Sequence, residues 1–179
     1  MKFLNIVLLT IFLLPIKSLS QETRLFKSSE QSYVVKSDTI DLDKHKDIIV
    51  IPGGRMFRKY FEKIAYFKEA VDHGTFYKSL EAINITEDDG SPIKTDALKK
   101  YYKKYKPFLV LNVVTGKNNL VELSLLKPDT GELFVVRSKS VTNVVGISAG
   151  TTQIYDSTWN SMMNALVDYI RANSKTYDK

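Results

Sequence analysis

The chain of 179 residues contains no cysteine. Disulfides are therefore excluded, and so is a lipid-modified cysteine behind an export signal. Histidine is almost as scarce, with only His45 and His73. A zinc site needs three or four ligands at tight spacing. The two histidines stand apart in "DLDKHKD" and "VDHGTF", and even with Asp41, Asp43 and Asp72 near them they supply no such set. Both read as solvated loop residues, and no metal is expected. Glu87-Asp88-Asp89-Gly90 lacks the spaced oxygen pattern of a calcium loop and reads as a surface turn. No apolar run approaches the roughly 20 residues of a membrane-spanning helix. Neither a G-x-G-x-x-G fingerprint nor a P-loop lysine–serine pair occurs, so no cofactor is expected. There is no internal repeat.

What is present begins with an export signal. Met1-Lys2 is a minimal basic start, Phe3 to Leu14 is almost wholly apolar, and Pro15 breaks the run. Ser18-Leu19-Ser20 then places small residues ahead of Gln21, where a signal peptidase needs them. The apolar run, about 12 residues, is too short to span a bilayer. The expected organisation is a signal at 1–20, a polar leader at 21–46, a single domain at 47–174 and a tail at 175–179. Cleavage leaves about 159 residues, the size of one domain with one core. An exported chain that dispenses with disulfides points to a bacterial periplasm or exterior. The formal net charge is +6, and Lys2 and Lys17 fall within the signal. The mature chain is thus mildly basic, which favours anionic surfaces and specifies no partner.

Apolar patterning sets the elements. Tyr33-Val34-Val35 is a short β-like run that can add an edge strand to the leader. Asp47 to Ile51 is a continuous run closed by Pro52-Gly53-Gly54, the pattern of a buried strand. Met56 to Tyr66 has helical spacing, with Phe57, Tyr60, Phe61, Ile64 and Ala65 on one face. Phe67 to Val71 reads as a short edge strand, and Thr75 to Ile83 as a second helix with Phe76, Leu80 and Ile83 inward. Glu87 to Pro92 is a loop.

The lysine-rich "KKYYKKYKPFLVLNVV", Lys99 to Val114, resolves on a helical wheel. Thr95 is a good N-cap and Asp96 suits the positive helix end. Leu98, Tyr101, Tyr102 and Tyr105 share one face, while Lys99, Lys100, Lys103, Lys104 and Lys106 occupy the other. Pro107 ends the helix, and Phe108 to Val114 is a second buried strand. Leu120 to Leu126 and Glu132 to Val141 form a hairpin across Lys127-Pro128-Asp129-Thr130-Gly131. Gly146 to Gly150 is a loop, and Thr152 to Asn173 is the longest helix, with Trp159, Met162, Met163, Leu166, Tyr169 and Ile170 recurring on one side. The expected fold is α/β (an α+β sandwich), a mixed sheet of about four to five strands against three to four helices.

"YYKKYKPFLVLNVV" and "LVELSLLKPDTGELFVV", the latter through Asp129, Thr130, Gly131 and Glu132, resemble steps of the TolB amino-terminal domain and of CsgG-like periplasmic proteins. The resemblance covers about Asp47 to Ser174. It departs where that group ends its strand on glycine, since Asn112 and Val113 stand here, and where it carries a lipid-anchor cysteine. It implies periplasmic assembly or binding work without catalysis, and transfers no functional residue.

Three motifs bear on chemistry. "GISAG", Gly146 to Gly150, matches the G-x-S-x-G nucleophile elbow. Ser148 would need a histidine that follows it in the usual order, yet His45 and His73 both precede it. No catalytic residue is therefore expected. "IPGGRMFRK" sets Gly53, Gly54, Arg55, Arg58 and Lys59 at a strand-to-helix turn, where backbone N–H groups can hold an anion. The lysine helix turns its aromatics away from its cations, unlike single-strand binders, so no nucleic acid is expected. The reading is an exported, non-catalytic binding or assembly domain of the cell envelope, its partner an envelope protein or surface component. The alternatives are a small serine hydrolase using Ser148, or an anionic-surface binder acting through Lys99, Lys100, Lys103 and Lys104.

Overall fold

The computed structural model describes residues 24–28, 31–81, 95–104, 106–116, 120–139 and 150–178. Its strands are β1 (Tyr33–Ser37), β2 (Ile48–Ile51), β3 (Glu69–Asp72), β4 (Phe108–Thr115), β5 (Leu120–Lys127) and β6 (Gly131–Lys139). Its helices are α1 (Arg55–Ile64), α2 (His73–Glu81), α3 (Thr95–Lys104) and α4 (Gly150–Asn173), with a 3-10 turn at Leu42–His45. The strands form one mixed sheet in the order β1-β6-β5-β4-β2-β3. The α/β class expected from patterning is thus present, with six strands because both short edge strands join the sheet.

Alternation along the strands decides where each helix lies. Ile49 and Ile51 of β2 point to one face and Val50 to the other, as the two-residue period requires. The first face also receives Leu109 and Leu111 of β4, Leu123 and Leu125 of β5, and Phe134 and Val136 of β6. Phe57, Tyr60, Phe61 and Ile64 of α1 cover it, together with Trp159, Met162, Met163, Leu166 and Ile170 of α4. The second face pairs Val50, Phe108 and Val110 with Phe76 and Leu80 of α2 and Leu98 of α3. Two layers of helix therefore sandwich the parallel half of the sheet.

β2 lies parallel to both β3 and β4, and the remaining pairs are antiparallel. The hairpin turn forms as composition dictates: Thr130 N–H bonds the Lys127 carbonyl at 3.2 Å, and Gly131 takes a positive φ of 92°. α1 is shorter than its periodicity suggests. Ala65 leaves the helix in the left-handed region at φ 53°, its N–H returning to the Phe61 carbonyl at 2.9 Å. It is an exposed C-cap rather than part of the inward face.

The stretch ahead of Asp47 contributes to the same core. Leu42 is fully buried, and Phe26 is buried beneath α1. Polar residues hide these anchors: Phe26 exchanges both backbone hydrogen bonds with the Asn164 amide, at 3.0 and 2.7 Å. The signal at 1–20, Ile83, the Glu87–Pro92 loop, Tyr105 and Ser148 lie outside the described residues.

Candidate functional site

β2 and β3 are parallel neighbours whose following helices leave in opposite directions, α1 to the first face and α2 to the second. The carboxyl ends of the strands are the usual ligand position in open α/β sheets. Gly53 and Gly54 form the turn there, and Gly54 at φ 118° occupies a region that favours glycine. α1 starts without a side-chain cap and without an acid in its first turn. α2 is capped instead by Asp72, whose carboxylate accepts from Thr75 N–H at 2.9 Å and from the Thr75 hydroxyl at 2.7 Å. Those hydrogen bonds hold the Asp72 carboxyl below its ordinary value. Arg58 reaches the same carboxylate at 3.7 Å. Of the residues predicted to hold an anion, Gly53, Gly54 and Arg55 stay together at the helix start, while Arg58 has a carboxylate already.

The other cations of α1 frame a cleft. Arg55, Lys59 and Lys63 recur every four residues, which puts them in one row. With Met56, Tyr60, Phe26 and Asn160 they line a depression of about 440 Å³. Its floor is apolar: Phe26 meets the Tyr60 ring edge-on at 4.9 Å, and Lys63 Nζ lies 4.9 Å from the Phe26 centroid. Its polar groups are engaged. The Tyr60 hydroxyl donates to Asn160 Oδ1 at 2.7 Å, and Asn160 Nδ2 donates to the Lys27 carbonyl at 2.6 Å. Among the described residues Arg55 and Lys59 form no salt bridge, whereas Lys36, Lys44, Arg58, Lys68, Lys127, Arg137 and Arg171 each face a carboxylate. Lys63 and the floor were not legible as a site in sequence, because Phe26 and Asn160 arrive from distant segments. The four-residue repeat of cations was the available signal.

Asp43 is the most heavily bonded carboxylate. It accepts from the hydroxyls of Thr176, Ser174 and Tyr66 at 2.6, 2.7 and 3.1 Å and from Lys175 N–H at 2.8 Å. These donors, Thr176 foremost, hold its carboxyl far below the ordinary 3.8. The arrangement fastens the chain after α4 to the 3-10 turn, and Tyr177 adds an edge-on contact with Tyr66 at 5.5 Å. Burial raises the Tyr66 hydroxyl. This is a clamp, with every oxygen occupied.

The lysine helix divides as expected on its aromatic side and less cleanly on its cationic side. Tyr101 and Tyr102 pack on the second core, and Lys100 and Lys103 are exposed. Lys99 is only half exposed, lining a cleft of about 230 Å³ between α3 and the hairpin turn. Tyr102 bonds His45 Nδ1 at 3.2 Å, burial pushing the hydroxyl up to about 12 and the imidazole below 6.5. His73 likewise meets the Leu111 carbonyl at 3.2 Å and is held low by burial. Neither histidine is the solvated loop residue that its polar surroundings suggest. Each bonds a core element.

A further polar cleft of about 470 Å³ lies between β1 and α4, bordered by Arg24, Ser32, Ser161 and Asp168. Among the described residues no three His, Asp or Glu side chains gather as a metal set, and no helix is long and apolar enough to cross a membrane. Compared with known proteins, the chain matches no family model, no curated protein and no solved structure.

Proposed function

We propose that this protein is an exported, non-catalytic binding or assembly module of the bacterial cell envelope, akin to TolB-type and CsgG-like domains. The carrying observation is the α1 cleft, where three cations in register border an apolar floor whose Tyr60 hydroxyl and Asn160 amide already have partners. Such a surface adheres through charge and apolar contact. The lowered carboxylates support the same reading, because Asp43 and Asp72 each hold donors that fix the fold in place.

The test uses the immobilised protein and an envelope extract from its own organism, alongside a fluorophosphonate probe. Retention of an envelope component by the native protein, lost in R55E/K59E, is expected, with no probe labelling. Labelling abolished by Ser148→Ala would overturn the non-catalytic reading in favour of a serine hydrolase. Retention that follows Lys100 and Lys103 instead would move the surface to α3.

A further inference from the structure

Resting on that reading, we infer that the α1 cleft takes an acidic, amphipathic stretch of a partner polypeptide. Three features of the cleft select this chemistry. Its cations are arranged as a ladder: Arg55, Lys59 and Lys63 lie one turn apart, about 6 Å per step and about 12 Å in all. A ligand with one anionic head, such as a fatty acid, would match one rung and leave two unmatched. Carboxylates four residues apart on a helix, or two apart on a strand, repeat at about 6–7 Å and match all three.

The second feature is the floor. Phe26, Met56 and Tyr60 offer ring and thioether surface, and the Tyr60 hydroxyl and the Asn160 amide beside them already bond within the protein. A small polar solute would find mostly apolar surface there. A leucine or phenylalanine set between acidic residues gains apolar burial and a soft sulfur partner.

The third is charge balance. Salt bridges join acids to cations elsewhere on the surface, and Arg58, one turn from Arg55, is neutralised by Asp72. Among the described residues no carboxylate lines the cleft. The uncompensated row therefore attracts an anionic chain from solution and orients it along α1.

The test measures fluorescence anisotropy of a labelled peptide of about 15 residues, with glutamate at every fourth position and leucine between, against the purified protein in about 50 mM salt. The same sequence with glutamine for glutamate is the comparison. Saturable binding is expected for the glutamate peptide alone. K59E/K63E should weaken it about tenfold or more, as reversal of two exposed ion pairs implies, and K100E/K103E on α3 should leave it within about twofold. These four lysines are exposed, and circular dichroism confirms that the variants fold. Equal loss from both pairs would reduce the effect to bulk charge and overturn the proposal. So would absence of peptide binding, or pelleting with phosphatidylglycerol vesicles that depends on Lys59 and Lys63 in the peptide's place. The vesicle result would leave an envelope-binding module standing with a lipid partner; serine-probe labelling of Ser148 would remove the module itself.

Discussion

At the residue scale, the titratable groups of this chain hold the backbone in place. Asp43 gathers four donors from two segments, and its lowered pKa has a calculable sign. A carboxyl depressed in the folded state contributes stability that is complete above its unfolded value of 3.8 and is given up as pH falls toward the folded value. The histidines act in a higher window. His45 and His73 are held below 6.5 by burial, so the unfolded chain binds more protons as pH falls through 6.5, and stability drops there as well. Thermal melts from pH 8 to 3 should show both declines. Asp43→Asn should lower the melting temperature at neutral pH, speed proteolysis after Asn173, and flatten the lower decline only. An unchanged profile below pH 4 would show that Asp43 is not the titrating clamp. Asp72→Ala should cost about 1 kcal/mol through loss of the α2 cap, measurable by urea denaturation.

At the element scale, packing carries the stability. Leu166 is fully buried in the centre of α4, against the first face of the sheet. Leu166→Ala should cost about 2–5 kcal/mol in denaturant unfolding. A loss below about 1 kcal/mol would place α4 outside the cooperative core. These elements were legible in sequence because their signals are local. The Ile48–Ile51 run, the proline-to-glycine hairpin turn and the three-four repeat of α4 each announce themselves within one window. The end of α1 was not, since Ala65 suits a helix and only the chain's departure puts it at φ 53°. The burial of Phe26 was hidden for another reason: the Asn164 amide that secures its backbone is 138 residues away. The candidate site was half legible. Gly53, Gly54 and Arg55 adjoin at the helix start because they are contiguous, but Arg58 is drawn to Asp72, and the apolar floor depends on tertiary contact.

At the scale of the whole molecule, the sheet is anchored at its centre and thin at its margins. β4, β5 and β6 are long and buried on the first face, whereas β1 is exposed throughout and β3 has four residues. Hydrogen exchange should find the slowest amides in β4, β5 and β6 and the fastest among the strands in β1. Slow exchange in β1 would mean that its free edge is covered in solution.

α4 is made after every strand, yet it supplies much of the cover for the first face. Until it emerges, Leu123, Leu125, Phe134 and Val136 lack its cover, so the first face of the sheet closes only once α4 is made. A chain truncated before Gly150 should bind a hydrophobic dye and melt without a cooperative transition. Completion of the core is thus paced by chain order, with α4 as its timer.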